Sequence, residues 1–359
     1  MKARLFRDSG VISRAAWVVA LTTIATVAAG AQAGTAGADT STSVGGTISG
    51  TVGVQDANIP LPYASVGIPA RSLEQFADAR GHFAFEGVQP GRVTLRIRRI
   101  GFTPVDTIID VVAGVAATVH VALVRVSVRL DTVRVASHPP CTQPGGPRPG
   151  SDAAFVSVFE QLLQNGEQAL LLVREYPFRT VFARHTTVEK RDGSVQDLTT
   201  DTVAHLTTGK PWEYSPGKIV VATAVAVPGL TDFVNPTFIN EHCFWYGGQE
   251  AIDGHAMLRI DFGASTAIRD PDIEGAMFLD PQTLVIRRTV VRLTKTPRSL
   301  PMIGDYTVTS VFGEVLPGVP IASQVLGVTR FVSGTNPLAA ISETEFQTLL
   351  SVSFLKGKP

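Results

Sequence analysis

Cysteine is scarce in this chain, and charge has no preferred sign. Only two cysteines occur in 359 residues, and 31 Lys and Arg balance 31 Asp and Glu. So few cysteines exclude a small disulfide-stapled fold and a four-thiolate metal cage. Zero net charge argues against a general nucleic-acid binder, which carries a basic excess. No apolar run beyond residue 33 is long enough to cross a bilayer as a helix, a crossing that takes about 20 residues. Catalytic signatures are missing as well: there is no H-E-x-x-H, no G-x-S-x-G and no glycine loop with a lysine to cradle phosphate.

The residues that do carry chemistry are scattered. Histidines stand at 82, 120, 138, 185, 205, 242 and 255. His82 falls on an exposed turn with no second ligand near it. His185 and Glu189 are four apart, which on a strand is two steps along one face and not a cage. Asp270, Asp272 and Glu274 flank Pro271 without the spacing or glycine of a calcium loop, so they read as a turn. His242 precedes Cys243, but adjacency in sequence is not the geometry that a nucleophile and its base require. No catalytic residue, cofactor or metal site is expected.

What is present is apolar residue, at 44% against 17% charged. That supports sizeable cores in two or three domains. Lys2, Arg4, Arg7 and Arg14 precede an apolar run over residues 15–30, and Ala31-Gln32-Ala33 follows it. This is the layout of a secretory signal peptide over residues 1–33, with a membrane anchor as the competing reading. No cysteine follows the run, so no lipoprotein attachment site is seen. Cleavage would remove four basic residues and one acid, leaving about three net negative charges. Residues 34–45 are small and polar and read as a flexible leader.

From residue 46 the pattern alternates. "TISGTVGV", "LPYASVGI", "LEQFADA", "HFAFEGV", "RVTLRIRRIGF", "VDTIIDVV" and "ATVHVALVRV" are short β segments separated by turn residues. Val93, Leu95 and Ile97 alternate with Thr94, Arg96 and Arg98, so one face is buried. Seven such strands spell a β-sandwich over residues 46–136. The run "GTVGVQDANIPLPYASVGI … ADARGHFAFEGVQPGRVTLRIRRIGF … ATVHVALVRVSVRLDTVRV" resembles the carboxypeptidase regulatory-like domain, a transthyretin-like sandwich, over about 90 residues. The resemblance implies an accessory module beside another domain and implies no peptidase activity. The zinc layout of a carboxypeptidase catalytic domain is missing. In outer-membrane receptors a segment like "LDTVRV" (130–135) leads into a plug and barrel, but too few residues follow here for that. Arg92, Arg96, Arg98 and Arg99 form a basic edge, read either as a solvated face or as a docking surface for an anionic partner. Tyr63, Phe76, Phe83, Phe85 and Phe102 are the sandwich's aromatics, a thin set for a carbohydrate-binding module.

Residues 137–150 are a Pro/Gly linker holding Cys141. An exported chain with Cys141 and Cys243 points to one disulfide, with free thiols or a reactive Cys243 as alternatives. The bridge would close a loop of about 100 residues, worth roughly 4–5 kcal/mol.

Residues 151–359 read as an antiparallel, β-rich α+β domain. Phe155, Phe159, Leu162 and Leu163 have helical spacing, capped by Ser151 or Asp152 and ended at Gly166. "EQALLLVREYP" then gives a second short helix. Strands follow at 178–190, 197–208, 217–224, 249–263, 273–279, 283–295, 305–315, 320–332 and 339–354, with a tight turn at Asp280-Pro281-Gln282-Thr283. "GQEAIDGHAMLRIDF … IEGAMFLDPQTLVIRRTVVRL" resembles periplasmic half-barrels related to lipoprotein carriers, in which an apolar concave face holds acyl chains. On that resemblance Trp212, Phe244, Trp245 and Tyr246 would line a ligand site; otherwise "CFWYGG" only packs the domain.

The expected whole is mainly β: a transthyretin/Ig-like sandwich plus an antiparallel half-barrel, open or closed, with two short helices at its start. The expected function is an exported, non-catalytic binding protein of the periplasm or outer membrane. Its partner would be an envelope protein, or a lipid-like or glycan ligand, and no nucleic acid. A carbohydrate-binding protein, an outer-membrane scaffold and an enzyme built from scattered residues are the alternatives.

Overall fold

The structure, a computed structural model, describes residues 45–128, 138–208, 212–221, 224–332 and 340–358. The expected signal peptide, nearly all of the leader and "LDTVRV" lie outside these residues.

The first unit is a sandwich of two sheets. Its strands are β1 (Gly46–Val54), β2 (Ala57–Pro60), β3 (Ser65–Ile68), β4 (Leu73–Phe76), β5 (His82–Val88), β6 (Gly91–Arg98), β7 (Val105–Val111) and β8 (Ala116–Leu123). In one sheet β1 pairs antiparallel with β2 and β5 and parallel with β8. The other runs β4-β3-β6-β7. In "LPYASVGI" the strand is confined to Ser65–Ile68, because Tyr63 takes φ +55° and breaks the run before β3. The alternation in β5 and β6 is as read: Phe83, Phe85, Val93, Leu95 and Ile97 enter one apolar core with Ile48, Val66 and Leu123.

The second unit opens with α1 (Ala153–Glu175), capped by the Asp152 carboxylate, which accepts from Phe155 N at 3.0 Å. The two expected helices are one. Gly166 does not end it: a Cβ there would sit 2.6 Å from Val234 Cγ1 and 2.8 Å from Leu230 O. The glycine admits a 3-10 turn (Leu230–Val234) against the helix. The strands are β9 (Phe178–Lys190), β10 (Val195–Leu206), β11 (Val220–Val221), β12 (Ala224–Val225), then short helix α2 (Pro236–Glu241), then β13 (His242–Ile252), β14 (His255–Ala264), β15 (Ile273–Leu279), β16 (Ile286–Leu293), β17 (Ile303–Leu316), β18 (Val319–Phe331) and β19 (Ala340–Phe354). One antiparallel sheet runs β10-β9-β19-β18-β17-β16-β15-β14-β13 and does not close. The segment read as one strand at 249–263 is a hairpin turning at Asp253 and Gly254, both at positive φ.

We call the face that carries α1 the inner face. Over β13–β17 it is apolar. Val158, Phe159 and Leu162 of α1 pack with Ile260, Phe262, Met277, Ile286 and Val308. Phe238 of α2 is fully buried there, its ring 4.1 Å from His242, 5.1 Å from Tyr214 and 5.4 Å from Phe233.

The two units meet at two motifs that stood out in the sequence. Gly101 of "RIGF" (φ +83°) lies against the 280–283 turn, where a Cβ would come 2.7 Å from Thr283 O. Its N–H donates to Gln161 Oε1 of α1 at 2.6 Å. Asn165, one helical turn on, donates to Leu284 O at 2.9 Å and accepts from Ile286 N at 2.8 Å. Buried amides thus satisfy backbone groups on both sides of the joint.

Candidate functional site

The four basic residues of the sandwich edge part company. Arg92 and Arg96 stay on the solvent face of β6, opposite Asp110 and Asp106. Arg98 turns into the joint, pairing with Glu74 at 2.5 Å and with Glu167 of α1. Arg99 is 7% exposed and donates to Pro317 O at 2.6 Å, with Nε and Nη1 left without a partner among the described residues. Burial pulls its pKa down to about 10, so it remains charged near neutrality. Half of the expected anionic-partner surface therefore braces the two units together.

The aromatic quartet also divides. Phe244 is 8% exposed and stacks edge-on against Phe159 at 4.9 Å. Trp212 packs on the same core. Tyr246 has a buried hydroxyl with no partner among the described residues, and burial pushes its pKa up to about 12. The apolar inner surface that these residues were expected to offer is occupied by α1 and α2. In the sandwich, Phe76, Phe83, Phe85 and Phe102 are buried and Tyr63 is half-buried, so none of the five is an open sugar platform.

Trp245 differs, because period two sends it to the outer face. Cys141 and Cys243 are bridged, Cα–Cα 5.5 Å apart. The bridge holds residues 138–141 as a strap along β13. Gly145 N donates to His242 O at 2.8 Å beside it. The His138 ring stacks on Trp245 at 4.8 Å, and its Nε2 lies 2.9 Å from Asp261. With its sulfur in the bridge, Cys243 is no nucleophile. His242 is fully buried, its ring nitrogens against Phe238 O and Ile273 O.

Between the strap and the outer sides of β13–β16 lies a groove of about 880 Å³. Trp245, Phe278 and Val290 give it an apolar floor. Its charges are arranged in pairs: Arg259 with Asp261 and Glu250, each at 2.6 Å, and Arg292 with Glu274 at 2.9 Å. The Arg259 guanidinium sits 5.8 Å over Phe278. Sequence reasoning found Trp245, placed Glu274 in a turn where it stands on β15, and missed Arg259 and Arg292, whose common face needs strand register to be seen. A second cavity, about 590 Å³, lies at the end of β1 in the sandwich. Among the described residues no group of three or more His, Cys, Asp or Glu side chains could hold a metal. No helix among them is long and apolar enough to cross a membrane.

This is a regulatory-like sandwich joined to an open half-barrel. Residues 47–124 match the carboxypeptidase regulatory-like domain. No curated protein matches the chain. The minor pilin GBS52 of Streptococcus agalactiae is similar over 26% of this chain at 17% identity and TM-score 0.21, and the chain spans 49% of that pilin. A putative outer membrane lipoprotein-sorting protein domain from Vibrio parahaemolyticus is similar over 56% of this chain and 95% of its own, at 9% identity and TM-score 0.31. A LolA superfamily protein from Nitrosomonas europaea aligns over 56% of this chain and 94% of its own, at 9% identity and TM-score 0.29.

Proposed function

We propose that this is an exported, non-catalytic binding protein of the cell envelope, and that its outer groove receives a segment of a partner protein. The groove itself carries the reading. It is open, about 880 Å³ in volume, and has an apolar floor ringed by charges of both signs. That is the anatomy of a polar-rimmed protein interface. An acyl chain would instead need the apolar inner face, and the chain's own α1 and α2 fill it. Export rests on the basic-apolar-small pattern of residues 1–33 and suits the Cys141–Cys243 bridge. The sandwich, fixed to the second unit by Arg98, Arg99 and Gly101, acts as a rigid brace.

The test is site-specific photocrosslinking in cells. A photoreactive residue is placed at Arg292 in the groove and, as a control, at Thr187 on the outer face of β9. One protein adduct at 292, absent at 187 and lost when Glu250 and Arg259 are charge-reversed together, supports the reading. Equal adducts at both positions, or none at 292, refutes it.

A further inference from the structure

Five strands at the far end of the inner face, β17, β18, β19, β9 and β10, carry polar side chains where a core would be expected. Strand register places them in rows. Tyr306 of β17 lies beside Thr329 of β18, which lies beside Glu343 of β19. In the next row Gly327 faces Glu345, which faces Thr186. In the third, Val325, Gln347, Arg184 and Asp201 stand side by side. Glu345 is only 4% exposed, and Tyr306 and Gln347 are 2% exposed each.

The hydrogen bonding does not close within this group. Arg184 is committed to Asp201, bonded at 2.8 and 2.5 Å. Among the described residues Glu345 accepts a single bond, from Gln347 Nε2 at 2.7 Å. No basic side chain among the described residues forms an ion pair with Glu343 or Glu345. The Tyr306 hydroxyl is buried without a partner among the described residues, although it lies close enough for both carboxylates to act on it electrostatically. Gln164 and Gln168 of α1, which packs across β18, add further buried amide atoms without partners. Burial raises the pKa of Glu343 and of Glu345. Glu345 pushes Glu343 up further, whereas the Gln347 hydrogen bond and the charge of Arg184 offset part of the rise at Glu345. His205, on β10 beyond Phe182, is held toward neutrality by burial and by Arg184. The group therefore holds two carboxylates more than its one guanidinium can answer. A buried unpaired charge and buried unpaired polar atoms are costly. The side on which Glu343 and Asp201 remain part-exposed opens to solvent.

We propose that this end of the inner face binds a small ligand through a protonated alkylamine, seated between Glu343 and Glu345 with the Tyr306 hydroxyl as a neutral hydrogen-bonding group. Successive inner-facing residues on β19 put the two carboxylates about 7 Å apart at their Cα atoms, a spacing that one ammonium with three donors can bridge. The cation replaces the charge that the protein omits. This site is separate from the outer groove and stands or falls independently of it.

The test is calorimetric titration of the full mature chain at pH 7.5 with putrescine and, separately, with glycerophosphoethanolamine. The two share the alkylammonium and represent a free polyamine and a lipid headgroup. 1-Butanol is the uncharged control. Saturable binding of either amine, with none of butanol, is the expected result, and whichever amine binds tighter names the source. Glu343→Gln with Glu345→Gln should weaken it at least tenfold, Tyr306→Phe about threefold, and Thr187→Ala on the outer face of β9 not at all. Gln keeps the shape of Glu, and the single Tyr306→Phe change serves if the double variant folds poorly. No binding of either amine overturns the proposal, as does amine binding that the Gln variants leave unchanged.

Discussion

The two ends of the nine-stranded sheet share one strand pairing and bury opposite kinds of side chain. At the β13–β16 end, Phe159, Phe238, Phe244 and Phe262 interlock, and the buried Tyr246 hydroxyl is the polar group there that finds no partner among the described residues. At the β18–β10 end, Glu343, Glu345 and Gln347 face inward beside an unpaired Tyr306 hydroxyl. The first arrangement is what folding alone would select. The second costs stability and is expected to persist only where a site needs it. The outer faces differ too: the apolar end carries a disulfide-held strap and a charged groove on its other side.

Breaking the apolar end should cost most. Replacing Cys141 and Cys243 together by Ser frees a span of 102 residues. The expected loss is roughly 4–5 kcal/mol in urea unfolding. The His138–Trp245 stack should loosen with it, seen as a change in tryptophan fluorescence. Phe238→Ala removes the fully buried centre of the aromatic cluster and should cost about 3–5 kcal/mol. An effect below about 1 kcal/mol would mean that α2 is not part of the cooperative core.

Asp232 tests the same end by pH. It lies in the 3-10 turn against α1, 8% exposed, accepting from Gly229 N at 2.9 Å. Burial raises its pKa to about 6 from an ordinary 3.8. The folded state therefore holds its proton where the unfolded state has released it. Stability from this group is complete below about pH 4 and is lost as pH rises through about 6, by roughly 3 kcal/mol. Asp232→Asn should flatten the stability profile between pH 4 and 7. Parallel profiles for the two proteins would remove Asp232 from the account.

Much of the fold was legible because period two is local. Val93, Leu95 and Ile97 declare their face without help, and so does the 280–283 turn. Gly166 misled for the opposite reason: it has the chemistry of a helix stop, but the chain needs it for the approach of Leu230 and Val234, which are distant in sequence. Arg98 and Arg99 look like surface because they continue a polar stripe, and only the second unit buries them. In "ISETEFQTLL" both alternations mix polar and apolar residues, so neither face declares itself. Pairing with Thr329 and Thr186 is what turns the Glu343–Glu345 face inward, and register is not written in one strand.

The joint between the units is the next test in size. Gly101→Ala puts a side chain at φ +83° and 2.7 Å from Thr283 O. The expected cost is about 2 kcal/mol, from backbone strain and a displaced turn. If the sandwich only decorates the second unit, limited proteolysis of this variant will look like that of the parent. If it is a brace, cleavage between residues 124 and 150 will quicken.

The smallest effect bears most directly on the contrast between the two ends. Tyr306→Phe deletes one hydroxyl and keeps the ring in place. At an ordinary core position, losing a buried hydroxyl forfeits its hydrogen bond and costs about 1 kcal/mol. Here the hydroxyl has no partner and two carboxylates stand near it. Removing it should be neutral or stabilising by up to about 1 kcal/mol, since a buried unsatisfied group disappears. Glu345→Gln should act in the same direction, most visibly at high pH, where the buried carboxylate must be charged. Both changes should weaken amine binding while leaving the fold as stable as before or more so. That pairing of gained stability with lost binding is the mark of a site. If either variant loses stability as Phe238→Ala does, the polar end is structural, and the two ends differ in composition alone.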